Sequence, residues 1–333
     1  MRCAVLGSGS WGTALAIQLA RSGDDVWVWS RTEAAASTIQ SSRENARYLP
    51  GISLPEGLTF SADMPDVLRD ADVVVVAVPS QSVRAVMTVA GPSIAPHAVV
   101  CCASKGVENG SLLTMAEVLE AVLPDVLHSR ICALAGPSFA REVAEGRPTA
   151  VVVASHDAKA ADVVAEAFHG GAFRAYHTDD VVGAELGGAL KNVIAIATGV
   201  ADGIGAGLNA RAALITRGLA EIGRLAVHRG ANPLTLAGLA GMGDLVLTCT
   251  GDLSRNRRVG LGLGAGQTLD EILEDLGQVA EGVMTTQSAR NLGRSAGVDM
   301  PITEEMYRML YEGKPVPEVL RDLLGRERKA ERD

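Results

Sequence analysis

The sequence predicts an α/β domain with a mostly parallel sheet, followed by an all-α domain. In the first half, short apolar segments alternate with helix-length intervals, which is typical of a parallel sheet covered on both faces. A glycine-rich turn follows the first apolar segment and opens a helical segment. After about Asp180 the chain is rich in Ala, Gly and Leu at helical spacing. We therefore expect a first domain over residues 1–180 and a second over residues 181–333.

Individual elements follow from local patterns. In the second half, Ile215, Leu219 and Ile222 recur at helical spacing, while Glu221 lies on another face of the same predicted helix. The charged tail, residues 326–333, is expected to be a solvated end. Seven predicted strands comprise residues 3–6, 26–29, 73–78, 98–102, 131–134, 149–153 and 173–177.

Composition excludes several classes of protein. The chain has 333 residues, 47% apolar and 21% charged, and a formal net charge of −9, which argues against a broad surface for nucleic acid or anionic membrane. The longest apolar stretch, residues 73–79, is too short to span a bilayer, and we expect no secretory signal. The five cysteines have no metal-ligand spacing and are expected to be reduced thiols. We expect a cytoplasmic protein without a metal site.

The glycine-rich turn carries the first chemical signal. Gly7, Gly9 and Gly12 form the pattern GxGxxG between a predicted strand and a helical segment that runs to about Arg21. In a Rossmann-type βαβ unit these glycines permit a tight turn, close approach of a pyrophosphate, and close packing of helix and strand. The phosphates then lie at the helix N-terminus. The pattern indicates a dinucleotide site; the alternative is an ordinary glycine-rich turn.

The end of the second predicted strand bears on the choice of cofactor. An NAD-selective site usually has an acidic residue there to bind the ribose hydroxyls, but this sequence has Ser30 and Arg31. The Arg31 guanidinium is suited to a 2′-phosphate. The sequence predicts that NADP(H) is accepted at least as well as NAD(H); the alternative is a solvent-exposed arginine before the next helix.

Two segments at predicted strand ends combine small and polar residues: ASKG at 103–106 and AGPSFA at 135–140. Ligands of doubly wound sheets collect at the carboxyl ends of the strands. Lys105 places an ammonium there, and Gly136 and Ser138 offer close backbone approach and a hydroxyl. Each segment is otherwise a plain turn.

Lys191 lies within GAELGGALKNVIAIATG, where small residues form a strip along a predicted helix. Such a lysine is either a side chain at the edge of the core or a desolvated catalytic group. Catalysis requires its pKa to fall from about 10.4 toward roughly 7 to 8, which burial and the nearby ammonium of Lys105 both promote. Asp244, in GMGDLVLTCT, is a further candidate or else a helix cap or turn residue.

The segment SRNRR, residues 254–258, is the most conspicuous basic site in this acidic chain. Its guanidinium, amide and hydroxyl groups suit a phosphate. The alternative is a solvated helix start after Asp252. The six histidines match no metal or Ser/His/Asp pattern, and we assign them no chemistry.

The chain resembles the bacterial NAD(P)-dependent glycerol-3-phosphate dehydrogenase family along nearly its whole length. The motifs that carry the resemblance are, in order, GSGSWGTALA, VWSR, YLPGI, VVVAVPS, ASKG, AGPSFAREV, LGGALKNVIAIATGVADG, ARAALITRG, GMGDLVLTCT, SRNRRVG, GQVAEG and MPITE. LKNVIAI, GDLVLTCT and SRNRR are far more specific than the glycine pattern. The resemblance implies reversible oxidation of sn-glycerol 3-phosphate to dihydroxyacetone phosphate, run mainly toward glycerol 3-phosphate for phospholipid synthesis, by a homodimer.

The resemblance also implies roles for individual residues. Lys191 is the implied general acid/base, Lys105 adds positive charge near the reacting oxygen, and Asp244 orients Lys191 or a substrate hydroxyl. Family members differ at the positions of Trp11 and Arg31, so the preference between NADPH and NADH is the property that the resemblance implies least directly. The implied cofactor contacts are Ser10, Trp11, Arg31, Lys105, Ala140, Arg255, Val279 and Glu281, beside Gly7, Gly9 and Gly12. The implied substrate contacts are Lys105, Gly136, Ser138, Lys191, Asp244, Ser254, Arg255 and Asn256, with Arg255 and Asn256 on the phosphate.

Two other functions compete with this hypothesis. A β-hydroxyacid dehydrogenase or ketopantoate-type reductase also joins a Rossmann domain to a helical domain with a catalytic lysine, but SRNRR favours a phosphorylated substrate. A non-catalytic NADPH sensor would bind cofactor without turnover. The two lysines, Asp244 and the arginine cluster argue against a sensor.

Overall fold

The computed structural model describes residues 1–327 and 330. Within these residues the first half forms an eight-stranded sheet of order β3-β2-β1-β4-β5-β6-β7-β8. The strands are β1 Arg2–Leu6, β2 Asp25–Trp29, β3 Leu58–Ser61, β4 Val73–Val76, β5 Val99–Cys102, β6 Ile131–Ala135, β7 Thr149–Ala154 and β8 Phe173–Thr178.

Helices connect the strands, and helices joined by short loops form the described part of the second half. Those of the first half are α1 Ser10–Arg21, α2 Glu33–Ser42, α3 Met64–Leu68, α4 Val83–Ala90, α5 Met115–Val122, α6 Ala140–Glu145 and α7 Ala158–Phe168. Those of the second half are α8 Val181–Gly203, α9 Gly207–His228, α10 Pro233–Ala237, α11 Asp244–Thr250, α12 Arg255–Gly264, α13 Leu269–Leu276, α14 Glu281–Ala296, α15 Pro301–Glu312 and α16 Val316–Leu324. A π-helical turn, Leu239–Gly243, leads into α11.

The predicted fold class is confirmed: a mostly parallel sheet with helices, followed by a helical region. All seven predicted strands are present with slightly different ends. The edge strand β3 is absent from the prediction because only Leu58 and Phe60 of its four residues are apolar. The sheet also departs from a uniform direction, since β7 pairs antiparallel with β6 and parallel with β8.

Both faces of the sheet are covered, which explains the uninterrupted apolar strands. All residues of β4, Val73–Val76, are buried. Val75 shares a core cluster with Leu15 of α1 on one face, and Val76 shares another with Met87 of α4 on the opposite face. The helix packing therefore leaves the carboxyl ends of the strands as the place for a ligand.

Helix α8 is the core helix of the second half. Among the described residues it is the one helix long and apolar enough to cross a membrane, yet 94% of its most apolar part is buried inside the structure. It packs against α9, α11, α12 and α14. Its burial is that of a helix surrounded by other helices of the same chain.

Helices α8 and α12 meet along glycines. A Cβ atom on Gly199 of α8 would lie 2.2 Å from the Arg257 carbonyl oxygen, and one on Gly260 of α12 would lie 2.0 Å from the Ile196 carbonyl oxygen. The two backbones therefore touch directly, and only glycine permits this approach. The contact fixes the first turn of α12, with its basic residues, beside α8.

Helix α9 confirms the predicted helical segment, but Glu221 is buried on it. Its carboxylate accepts hydrogen bonds from the N–H groups of Ile302 at 2.8 Å and Thr303 at 2.9 Å, and from the Thr303 hydroxyl. Glu221 thus caps the start of α15 from a neighbouring helix.

The cysteines and the charged tail lie in contrasting environments. All five cysteines are buried and unbridged. Of the charged tail, Arg326 donates to Asp299 at 2.6 Å, while residues 328, 329 and 331–333 lie outside the described part of the chain. The described residues of the tail, Arg326, Glu327 and Ala330, are exposed, as a solvated end requires, and Arg326 is ion-paired at the surface.

Candidate active site

The glycine-rich turn has the shape that a dinucleotide requires. Gly7 has φ +121°, and a Cβ there would lie 2.6 Å from the Ala77 carbonyl oxygen. A Cβ on Gly12 would lie 1.9 Å from the Gly7 carbonyl oxygen, whereas nothing lies within 4 Å of a Cβ on Gly9. Gly7 and Gly12 therefore serve the turn, and Gly9 borders open space at the N-terminus of α1, where peptide N–H groups suit an anionic pyrophosphate.

Predicted cofactor residues surround this turn. The Trp11 indole N–H donates to the Ala103 carbonyl at 3.1 Å, which ties α1 to the segment before Lys105. The Ser10 hydroxyl lies 2.6 Å from the Tyr48 carbonyl and 3.0 Å from Gln278 Oε1. Arg31 lies exposed after the end of β2 and makes no hydrogen bond or ion pair within the part of the chain that the structure describes.

Lys105, Lys191 and Asp244 meet in one buried cluster. Lys191 on α8 places Nζ 2.5 Å from Asp244 Oδ1, and Lys105 after β5 places Nζ 2.6 Å from Oδ2 of the same carboxylate. Lys191 Nζ also donates to the Thr248 hydroxyl at 2.8 Å. Only 7% of Lys191 and 1% of Asp244 is exposed. One carboxylate therefore holds two ammonium groups at fixed positions.

The electrostatics of the cluster favour proton transfer near neutral pH. Burial lowers the pKa of Lys191 to about 8, with the ammonium of Lys105 also lowering it and Asp244 opposing them. Burial alone raises the pKa of Asp244, but the two lysines outweigh it and hold that pKa below its usual value. Lys191 thus changes charge in the range that the catalytic hypothesis requires, while Asp244 stays ionised.

The loop after β6 lies against Lys105. The Gly136 carbonyl accepts from Lys105 Nζ at 3.2 Å and from the Ser138 hydroxyl at 3.0 Å. Gly136 has φ +117°, and a Cβ there would lie 3.0 Å from the Val151 Cα. Ala140 begins the short helix α6 just beyond. Gly136 therefore contributes a carbonyl that orients Lys105, and its conformation favours glycine.

The basic segment SRNRR divides into parts with different surroundings. Ser254 caps α12 by accepting from the Arg257 N–H, and the Arg257 guanidinium is bound to Asp202 and Asp252. Arg258 is paired with Asp275 at the surface. Arg257 is therefore held in structural ion pairs, which leaves Ser254, Arg255 and Asn256 as the candidate phosphate ligands of this segment.

Arg255 and Asn256 face the interior of the site. Arg255 donates to Gln278 Oε1 at 3.3 Å, and burial lowers its pKa, opposed by Glu281. Asn256 donates to Asn192 Oδ1 at 2.9 Å and accepts from the Gly282 N–H at 2.9 Å, so its second amide hydrogen is free of these two contacts. Both side chains retain donors for an anionic ligand.

The segment after α13 closes one side of the cleft. The Glu281 carboxylate accepts from the Ser80 hydroxyl at 2.6 Å and from the Ser80 N–H at 3.2 Å, and burial raises its pKa. Val279 is 47% exposed beside it. This segment reaches across to the sheet, which brings Val279 and Glu281 to the same cleft as the glycine-rich turn.

Sequence reasoning misses several members of the site. Thr248 lies one turn after Asp244, in a motif that the resemblance singles out, and its spacing of four places it on the same helix face. Asn192 and Gln278 are also missed, although each is next in sequence to a predicted site residue, Lys191 or Val279. Asn192 contacts Asn256, and Gln278 contacts Arg255 and Ser10. These contacts depend on tertiary structure and leave no signal in the sequence.

Fold and site together define a nicotinamide-dinucleotide-dependent oxidoreductase: a doubly wound sheet with a dinucleotide turn faces a buried lysine–aspartate cluster. Residues 2–161 and 180–321 match family models described as the NAD-dependent glycerol-3-phosphate dehydrogenase N-terminus and C-terminus. The chain belongs to the glycerol-3-phosphate dehydrogenase family.

Individual relatives agree with this assignment. The glycerol-3-phosphate dehydrogenase [NAD(P)+] of Anaeromyxobacter sp. (strain K) is 54% identical over 99% of this chain and 100% of its own length. That of Geobacter sp. (strain M21) is 53% identical over 99% of this chain and 98% of its own. The crystal structure of glycerol-3-phosphate dehydrogenase from Coxiella burnetii is 41% identical, with a TM-score of 0.93 over 98% of this chain and 99% of that one.

Proposed function

We propose that this chain interconverts dihydroxyacetone phosphate and sn-glycerol 3-phosphate with NADP(H) or NAD(H). The strongest support is the cluster of Lys105, Asp244 and Lys191, which places two ammonium groups beside the cleft of a dinucleotide-binding turn. The relatives named above carry the same activity in their names.

Lys191 is the proton donor and acceptor in this proposal. When bound, the nicotinamide cofactor supplies or accepts the hydride at the substrate C2 carbon. During reduction, the Lys191 ammonium gives a proton to the C2 oxygen as negative charge develops there, and the resulting amine takes its next proton from solvent. Lys105 stabilises the same oxygen with a positive charge that needs no reorganisation. Asp244 holds both Nζ atoms and sets their separation.

The phosphate of the substrate lies at the start of α12 in this proposal. Arg255 and Asn256 bind it, and the Ser254 hydroxyl, which accepts from the Arg257 N–H as a helix cap, retains its own hydrogen for an additional bond. Ser138 and the Gly136 loop border the remaining hydroxyl end. Binding energy from the phosphate then positions the carbonyl against Lys191.

The cofactor residues fit a dinucleotide. The turn of Gly7, Gly9 and Gly12 receives the pyrophosphate, and Ser10, Trp11, Ala140, Val279 and Glu281 border the same cleft in the proposal. Arg31 is exposed beside it, where its guanidinium suits a 2′-phosphate. NADPH is therefore expected to be used at least as well as NADH.

In the cell, we propose a cytoplasmic enzyme that supplies glycerol 3-phosphate for glycerophospholipid synthesis and acts as a homodimer through the helical half. Residues 1–180 bind the cofactor, and residues 181–333 bind substrate and carry Lys191. The partners are small molecules, without nucleic acid or an integral membrane association. Acidic net charge is consistent with that set of partners.

The activity is tested by following the loss of NADPH or NADH absorbance in the presence of dihydroxyacetone phosphate. Unphosphorylated dihydroxyacetone and a 2-keto acid are the controls for the phosphate and for the rival reductases. Rapid oxidation with only the phosphorylated ketone is expected, and the ratio of the two cofactor rates reports the effect of Arg31. Tight NADPH binding without turnover on any substrate would instead identify a sensor.

A further inference from the structure

Asn45 is buried beneath the glycine-rich turn, in a segment that the proposed function does not use. It is 2% exposed and lies just after α2, at the first position of a turn closed by the Tyr48 N–H on the Asn45 carbonyl at 3.2 Å. The Leu49 N–H donates to the same carbonyl at 2.8 Å. The backbone of this segment is therefore fixed, and with it the direction of the Asn45 side chain.

Both hydrogens of the Asn45 side-chain amide are donated to the glycine-rich turn and the start of α1. Nδ2 donates to the Ser8 carbonyl oxygen at 2.8 Å and to the Thr13 hydroxyl at 2.8 Å. Ser8 lies inside the glycine pattern, and Thr13 lies in the first turn of α1. One amide thus joins the two sides of the turn that a pyrophosphate has to approach.

The contact with Ser8 fixes the direction of the next peptide N–H. In a planar trans peptide the C=O and the following N–H point in opposite directions. Because the Ser8 carbonyl is held on Asn45, the Gly9 N–H points away from Asn45. A Cβ on Gly9 would meet nothing within 4 Å, so that residue borders open space.

We propose that Asn45 is a positioning residue for the dinucleotide: its amide fixes the Ser8–Gly9 peptide so that the Gly9 N–H is presented to the pyrophosphate. This inference rests on the proposed function for the identity of the ligand. Asn45 does not itself touch the cofactor. The same segment carries the Tyr48 carbonyl that accepts from Ser10, so the turn is held from one side by three hydrogen bonds to residues 45–48.

The test compares Asn45→Ala with Gln40→Ala. Gln40, on α2, accepts from the Phe60 N–H at 2.9 Å and lies outside the cleft, so its variant loses a similar side-chain to backbone bond in the same domain. Wild-type turnover with NADPH and dihydroxyacetone phosphate is measured first. If the wild-type protein shows no turnover, the proposed function is contradicted but the role of Asn45 is not. That role is tested separately by calorimetric measurement of ADP-ribose binding, which needs no turnover.

Asn45→Ala is expected to raise the KM for NADPH and the Kd for ADP-ribose by about tenfold, because a mobile peptide no longer presents its N–H. The KM for dihydroxyacetone phosphate, kcat and the affinity for 2′-AMP, which lacks a pyrophosphate, are expected to stay near wild type. Gln40→Ala is expected to leave all of these values near wild type. Unchanged NADPH and ADP-ribose affinities in Asn45→Ala, or equal losses for every ligand, would overturn the proposal.

Two further variants keep the test independent of folding. Asn45→Asp preserves the shape of the side chain but turns a carboxylate toward the Ser8 carbonyl, and a larger loss of ADP-ribose affinity than in Asn45→Ala is expected. Thr13→Val removes one acceptor and leaves the Ser8 bond intact, so a smaller loss is expected. The reverse order of these two effects would contradict the role assigned to the Ser8 contact.

Discussion

At the scale of single residues, the chemistry depends on one carboxylate shared by two lysines. Asp244 is held between Lys105 and Lys191 at distances of 2.6 and 2.5 Å. Its negative charge offsets one of the two positive charges, so that burial does not simply neutralise both lysines. Lys191 with a pKa of about 8 is then able to donate a proton during reduction and to accept one during oxidation.

Asp244→Asn is expected to shift the pH dependence of dihydroxyacetone phosphate reduction. Reduction requires the Lys191 ammonium, so kcat falls as pH rises through its pKa. Asp244 raises that pKa, and without its charge the pKa falls and the declining limb moves to lower pH. Steady-state rates across the neutral and alkaline range measure the shift.

Asp275→Asn is the control for that profile, because Asp275 is exposed and pairs only with the surface guanidinium of Arg258 among the contacts described. Its profile should coincide with that of wild type. A profile of Asp244→Asn that shows lower rates at every pH but an unmoved limb would contradict the assigned coupling between Asp244 and Lys191.

At the scale of helices and strands, the site depends on how closely α12 approaches α8. The glycine contact between them brings Ser254, Arg255 and Asn256 toward the helix that carries Lys191. The Arg257 ion pair with Asp202 fixes the same end of α12 to the end of α8. The substrate residues on α12 therefore take their positions from backbone packing.

Gly260→Ala is expected to destabilise the protein by about 2 kcal/mol or more and to raise the KM for dihydroxyacetone phosphate, because the added methyl meets the Ile196 carbonyl at 2.0 Å. Gly223→Ala on α9 is the matched control. There a Cβ lies 3.7 Å from Leu236 Cδ1, an ordinary contact, and a gain of about 0.5 kcal/mol is expected from helix propensity. Urea unfolding and steady-state kinetics measure both; equal stabilities of the two variants would contradict the packing account.

The elements also show what a single sequence conveys. Continuous apolar segments predict β1, β4 and β5 because strands buried on both faces need apolar residues throughout. The reversal of β7 could not be predicted, since a short apolar segment carries no information on strand direction. The edge strand β3 has too few apolar residues to stand out from a loop.

Within the site, the residue types could be predicted and their partners could not. A lysine in a strip of small residues indicates burial, but Lys191 and Asp244 are 53 residues apart, and Lys105 and Asp244 are 139 apart. Arg257 shows the limit most clearly: its sequence neighbours suggest phosphate binding, whereas Asp202, 55 residues away, occupies its guanidinium.

At the scale of the whole molecule, Glu185 lies where the sheet region meets the helical region. It is on α8, and its Oε1 accepts from the Ala116 N–H of α5 at 2.9 Å, while Oε2 is buried without a hydrogen-bond partner in the described structure. Burial raises the pKa of Glu185 to about 7, with Glu117 and Glu120 adding to the rise and the hydrogen bond from the Ala116 N–H opposing it. The junction therefore holds a carboxyl that is neutral in mildly acidic solution.

This group makes stability depend on pH. The folded pKa of Glu185, about 7, lies above the unfolded value of about 4.5, so the folded state binds more protons between these values and its stability falls as pH rises from about 4.5 to about 7. Glu185→Gln is expected to make that decline smaller, since the buried carboxyls of Glu221 and Glu281 also have raised pKa values, and to be more stable than wild type at alkaline pH by up to about 3 kcal/mol.

Urea unfolding of wild type and Glu185→Gln at a series of pH values measures the difference. Glu274→Gln, an exposed change on α13, is the control and should parallel wild type, because Glu274 is not among the groups that raise the pKa of Glu185. Parallel curves for wild type and Glu185→Gln would show that Glu185 keeps an ordinary pKa in the folded protein.

In the proposed mechanism Lys191 performs the proton transfer, and the fold delivers the cofactor to it. Lys191→Ala tests this most directly when NADPH binding and NADPH oxidation with dihydroxyacetone phosphate are measured on the same preparation. Turnover is expected to fall by about a thousandfold while NADPH affinity stays near wild type. Turnover near wild type, or loss of NADPH binding together with turnover, would contradict the account.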